Sequence, residues 1–130
     1  QRQMCIRDRC AYLSMWLTRD TLMNGAANGH YFENYVVIEL LKSFSYSADK
    51  ANLTYYRDSN AKEIDVIVEE NGLVHPLEIK KSANPDRREI KKYEVLDKTT
   101  LERGSGGIVC MCEEVIPIDQ KNCFIPCNLI

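Results

Sequence analysis

Two runs in which apolar and polar residues alternate, residues 63–70 and 73–80, flank the dipeptide Asn71-Gly72. A two-residue hairpin loop of the favoured twist needs positive φ at both central positions. Asn-Gly tolerates this at little cost, so the pattern predicts a β-hairpin closed at that dipeptide. The turn sets the register: Glu70 faces Leu73, Val68 faces His75, Val66 faces Leu77, Asp65 faces Glu78, Ile64 faces Ile79 and Glu63 faces Lys80. One face then carries Ile64, Val66, Val68, Leu77 and Ile79 toward a core, and the other gathers Glu63, Asp65, Glu78 and Lys80. A three-residue loop would set Asp65 against Leu77 and mix charge with core on both faces, which the hydrophobic pattern disfavours.

Upstream of the hairpin, His30 to Phe44 follows the period of an α-helix, with Asn28-Gly29 as its cap. At about 100° per residue, Phe32, Val36, Val37, Leu40, Leu41 and Phe44 fill one half of the wheel and Glu33 falls inside that apolar arc. A carboxylate there needs a specific partner such as a metal, a lysine or a water, or else caps a buried donor or pairs with an arginine. Glu39, at the edge of the arc, reaches solvent. Leu53 to Asp58 reads as a strand ahead of the hairpin, with Asp58 to Lys62 as the connecting turn. After Lys80, Ser82 to Asp86 leads into a second helix with Pro85 near its first turn. Ile90, Tyr93 and Leu96 of that helix turn toward the sheet, while Arg87, Arg88, Lys91 and Lys92 form a basic stripe. The stripe is either a solvated face or a contact for a phosphate backbone. Residues 107–112 and 122–126 read as two further strands. Helix, strands, helix, strand is an α/β pattern: a mixed β-sheet flanked by helices, in which the crossover helix implies a parallel neighbour.

Two carboxylates directly opposed across a hairpin repel, so Asp65 and Glu78 call for something that offsets their charge. A divalent cation does this with hard oxygen ligands. Lys80 and Glu63 offer the other answer, neutralising the pair as a solvated salt-bridge ladder.

The chain has 130 residues, 45% hydrophobic and 28% charged, which suits one globular domain with a single core. No apolar run approaches the ~20 residues needed to cross a bilayer, and no signal-peptide pattern is present, so a cytoplasmic location without membrane contact is expected. The net charge of −2 argues against a generally basic nucleic-acid binder while leaving room for a local basic groove. Residues 104–107, Gly-Ser-Gly-Gly, lack the Lys-Ser/Thr of a P-loop and read as a turn, so ATP binding is not expected. Of the six cysteines, Cys110, Cys112, Cys123 and Cys127 have spacings that could hold zinc, yet Cys110 and Cys112 also alternate within an apolar strand as small hydrophobes. His30 and His75 are expected to be structural. The opening tract, residues 1–9, shows no sustained period and reads as non-native sequence.

Glu33 on a first helix, Asp65 on a strand and Glu78-Ile79-Lys80 on the next strand resemble the PD-(D/E)XK nuclease superfamily, with its restriction endonucleases and Holliday-junction resolvases. Residues 29–34, 53–58, 63–65 and 76–80 resemble more closely a C-terminal domain of unknown function found in AAA-type P-loop ATPases of bacteria and archaea. The resemblance implies a restriction-endonuclease-like α/β core over 29–130, a remnant of the junction to upstream ATPase domains over 10–28, and ATPase domains missing from this chain. It also implies Glu33, Asp65, Glu78 and Lys80 as catalytic residues. Asp65, Glu78, the Ile79 carbonyl and Glu33 would hold Mg²⁺ or Mn²⁺, with Glu63 and Arg57 in support. DNA would be the substrate, contacted by Arg87, Arg88, Lys91 and Lys92. A nuclease fold kept as an inactive regulatory or partner-binding module is the alternative.

Overall fold

The Asn71-Gly72 turn has φ of 51° at Asn71 and 79° at Gly72, the left-handed values that a two-residue hairpin loop requires. In the computed structural model, which describes residues 18, 20, 24–25, 28–46, 52–59 and 62–130, this turn joins strands β2 (Glu63–Glu70) and β3 (Leu73–Ile79). Helix α1 (Asn28–Tyr46) and strand β1 (Asn52–Arg57) precede them. A 3₁₀ helix, η1 (Arg87–Lys98), follows, then β4 (Glu102–Arg103), β5 (Gly106–Cys110), β6 (Ile116–Pro117), β7 (Asn122–Pro126) and a short η2 (Cys127–Leu129). The expectations for residues 1–9, for the junction 10–28 with a short helix capped at Thr18 and stopped at Gly25, and for Asn60 and Ala61 of the turn lie largely outside the described residues. Among the described residues no helix is long and apolar enough to cross a membrane.

The sheet is mixed, with strand order β1-β2-β3-β5-β7-β6 and β4 pairing with β3. β1, β2 and β3 are antiparallel, whereas β3, β5 and β7 run parallel. The parallel step from β3 to β5 is made by η1, as a crossover connection must be. Pro76 lies between the part of β3 that pairs with β4 and the part that pairs with β5. An interrupted stretch of ladder is where a residue without an N–H is tolerated.

Both faces of the sheet are covered. On one, Val36 and Leu40 of α1 bury against Val66, Val68, Leu77, Ile79 and Val109, with Phe32, Val37 and Phe44 alongside. Leu41, expected in the same arc, is exposed. On the other, Tyr93 and Leu96 of η1 pack on Ile64, Ile67 and Val74, while Ile90 reaches this group and a patch of Ile108, Cys110 and Phe124. Ile90, Tyr93 and Leu96 are each three residues apart, and side chains at that spacing eclipse in a 3₁₀ helix. The expected second helix takes this tighter form, with the three side chains in one column.

The hairpin register holds from Glu70↔Leu73 to Val66↔Leu77 and then departs from the expected one. Against β1, Thr54 pairs with Ile67 but Tyr56 pairs with Ile64, so β2 carries one extra residue across Asp65 and Val66. A bulge reverses the alternation of side chains. Ile64, expected beside Val66 and Val68, is therefore turned to the η1 face with Ile67.

Tyr93 ties the crossover to the sheet. Its hydroxyl, fully buried, donates to the Gly107 carbonyl at 2.7 Å. Gly107 has no room for a side chain, since a Cβ there would lie 2.7 Å from Ile125 Cδ1 and 2.8 Å from the Cys123 carbonyl oxygen. Tyr93→Phe should cost about 1–3 kcal/mol through the orphaned carbonyl. Gly107→Ala should cost a comparable amount, roughly 1–3 kcal/mol, through overpacking against backbone that cannot move aside. Urea midpoints for the two variants check this, and a Tyr93→Phe midpoint equal to wild type would remove the tie.

Candidate functional site

Where the bulge ends the β2–β3 ladder, the two strands separate and polar groups take over the pairing. The Ile79 N–H donates to Asp65 Oδ2 at 2.8 Å, so a carboxylate stands where a strand carbonyl would. The Lys80 N–H turns the other way and donates to the Val109 carbonyl at 2.9 Å. Asp65 and Glu78 are therefore neighbours at a splayed strand end rather than the directly opposed pair of the expected register.

Glu78 shares the η1 face of β3 with Val74, and its side chain is 1% exposed. Two ammonium groups meet one of its oxygens: Lys80 Nζ lies 2.7 Å and Lys92 Nζ 2.6 Å from Glu78 Oε1. Glu89 closes the cluster, 3.3 Å from Lys92 and 3.9 Å from Lys80. The second oxygen, Glu78 Oε2, is buried without a hydrogen-bond partner among the described residues. A buried acceptor left in that state is costly, which marks the position as one made for a ligand or a water.

Burial pushes the Glu78 carboxyl above the ordinary carboxylate range, with the hydrogen bonds from Lys80 and Lys92 pulling back and the Asp65 charge adding to the rise. Burial likewise raises Asp65; its bond from Ile79 and the charge of Lys80 oppose this, and Glu33 adds to it. At Lys80 burial works to lower the pKa, but the hydrogen bond and charge of Glu78 outweigh it and leave the ammonium above its ordinary value.

Several expected site residues lie elsewhere. The Glu33 side chain is 41% exposed and meets His30 Nδ1 at 3.3 Å, so it is not buried in the apolar arc of α1. It stands on the α1 side of the sheet, sensed by Asp65, while Glu78 is on the η1 side. Glu63, expected opposite Lys80, stands opposite Arg57 in the β1–β2 register and is exposed. Lys80 finds its carboxylates in Glu78 and Glu89. Among Arg87, Arg88, Lys91 and Lys92 there is no common basic stripe: Arg88 is bound by Asp86 through its side chain and backbone N–H, and Lys92 is turned inward to Glu78. A 3₁₀ helix separates Lys92 from Arg88 and Lys91 because residues three apart, Glu89 and Lys92, share its column. The Glu89–Lys92 pair has the i,i+3 spacing that brings side chains together on any helix.

The described residues contain no group of three or more His, Cys, Asp or Glu side chains placed to hold a metal. Cys110, Cys112, Cys123 and Cys127 are free thiols, and burial pushes Cys110 up to about 11. Asp65 and Glu78 carry oxygen donors on adjacent strands, and the charge of Asp65 reaches Glu78. With Glu78 Oε2 unpartnered among the described residues, such carboxylates are donors that a hard divalent cation takes.

A family model described as Domain of unknown function (DUF4143) matches residues 28–130. No curated protein and no solved structure matched the chain.

The raised carboxylates give a pH signature. Between the ordinary carboxylate value and their higher folded-state values, Asp65 and Glu78 bind protons more readily in the folded than in the unfolded chain. Their contribution to stability is therefore greatest below that window and falls as pH rises through it. Asp65→Asn keeps an acceptor for Ile79 but has no charge to desolvate. It should melt higher relative to wild type at pH 7 than at pH 4.5, and a difference in melting temperature that does not change with pH would contradict the assignment.

Proposed function

This chain belongs to the DUF4143 family of domains of unknown function, and from that starting point we propose that it is a nuclease-like domain that hydrolyses DNA phosphodiesters with Mg²⁺ or Mn²⁺. The observation that carries the reading is Glu78, a buried carboxylate with one unpartnered oxygen and two ammonium groups on the other, next to the Asp65 carboxylate. Acceptors for a metal beside donors for a phosphate are what such a reaction needs. On the resemblance to nuclease-like domains, the proposal extends to upstream AAA-type ATPase domains as covalent partners and to a cytoplasmic setting.

Asp65, Glu78 and the Ile79 carbonyl would hold the cation, with Glu33 approaching from the α1 side. A bound divalent ion supplies Lewis acidity toward a phosphoryl oxygen and lowers the pKa of a water. Asp65 is kept in place by the Ile79 N–H, which keeps its carboxylate near the end of β3. Lys80, with its ammonium at the protein surface, would orient a water or meet the negative charge that grows at phosphorus. Arg87 and Lys91, exposed on η1, would contact the DNA backbone without reading sequence.

A second reading has its own support. Lys80 and Lys92 together balance Glu78 without any metal, as a nuclease-like fold retained for regulation or partner binding would require. Metal titration separates the two. In the first reading Mg²⁺ at about 100 times its Kd stabilises the folded chain by about 2.7 kcal/mol, a rise of several degrees in Tm. Lys80→Ala should then abolish nicking of supercoiled DNA while keeping the Mg²⁺-dependent shift. No shift in excess Mg²⁺ or Mn²⁺, or equal nicking by wild type and Lys80→Ala, would sink the nuclease assignment.

A further inference from the structure

We propose that Lys92 is the positioning residue of this site: by bridging Glu78 and Glu89 it holds and neutralises the buried carboxylate, leaving Lys80 free to exchange Glu78 for a substrate phosphate. The phosphate rests on the nuclease reading, whereas the bridge itself does not.

The two lysines meet the same oxygen but are held differently. Lys92 has two close carboxylate contacts, 2.6 Å to Glu78 and 3.3 Å to Glu89, and its side chain is 21% exposed. Lys80 has one close contact, 2.7 Å to Glu78, with Glu89 at 3.9 Å, and is 39% exposed. Lys92 also comes from an anchored element, since its neighbour in sequence, Tyr93, is fully buried and bonded to the Gly107 carbonyl. Lys80 lies just past the end of β3, where its backbone is tied to β5 but its side chain reaches the surface.

Charge makes this asymmetry useful. A buried carboxylate that loses its only cation is left uncompensated, which is strongly unfavourable. If Lys80 were the sole partner of Glu78, moving it to a phosphate would expose the site to that penalty in every turnover. With Lys92 in place, Glu78 keeps one ammonium at hydrogen-bonding distance when Lys80 leaves. Sequence position gives Lys80 the family resemblance, while the three-dimensional arrangement gives Lys92 the holding role.

Amine labelling of the intact chain at neutral pH, by reductive methylation read residue by residue in a mass spectrometer, tests the bridge without requiring cleavage. Methylation requires the amine to leave its carboxylates and lose its proton, so Lys92, with two close carboxylate contacts and the lower exposure, should react about tenfold more slowly than Lys80 in wild type. In Lys92→Met, Lys80 becomes the only cation of Glu78 and its labelling should slow severalfold, whereas Lys92→Arg should leave Lys80 as reactive as in wild type. In nicking assays Lys92→Met should lower kcat with KM for DNA little changed, and Lys92→Arg should restore much of the rate. Equal labelling of Lys80 and Lys92 in wild type overturns the proposal even if Lys92→Met does not fold, and so does an unchanged Lys80 rate in a folded Lys92→Met. The expected labelling ratio in a chain that nicks no DNA supports the bridge and removes the nuclease reading alone.

Discussion

An ionised carboxylate taken out of water must have its hydration replaced by cations or donors, or it costs several kcal/mol. Glu78 meets that demand at the centre of this fold, and much of the surrounding structure follows from where its partners come from. Lys80 is supplied by the strand that carries Glu78, and Lys92 by the crossover between β3 and β5. The crossover has to lie flat on the η1 face for Lys92 to arrive, and Ile90, Tyr93 and Leu96 hold it there. Packing and electrostatics thus impose the same placement of η1.

The bulge in β2 is the second determinant. Without it the β2–β3 ladder would run on past Val66, Ile64 would stay on the α1 face and Asp65 would face Glu78 directly. With the extra residue, the strands part, Asp65 turns its carboxylate onto the Ile79 N–H, and Ile64 joins the packing under η1. The break in the sheet is also what brings the Asp65 carboxylate to the end of β3 that carries Glu78.

How much of this was legible in the sequence depended on the range of the signal. The turn at Asn71-Gly72 and the register up to Val66↔Leu77 follow from local chemistry and were readable, as were α1, β1 and the parallel neighbour of β3. The bulge was not, because Glu63-Ile64-Asp65-Val66 continues a faultless alternation and nothing local says that β1 will pair one residue out of step. Burial of Glu33 was expected from its place on the helical wheel, but the side chain is long enough to leave the apolar arc and reach His30. An α-helical period places Lys92 with Arg87, Arg88 and Lys91, and the spacing of the apolar neighbours, common to both helix types, does not reveal the 3₁₀ form that turns Lys92 inward. The candidate site was thus readable as a set of residues near the end of β3, whereas which of them touch was decided by tertiary packing.

The mixed sheet also orders events in time. β2 and β3 are joined by a two-residue turn and can pair by local zippering, on the order of microseconds for a hairpin. β5 must instead find β3 across the whole crossover, and non-local parallel pairing of that kind is intrinsically slow. Glu78 therefore travels through folding first with Lys80, its companion on the same strand. It receives Lys92 only when η1 docks, so the completed charge cluster reports on the docking of the crossover.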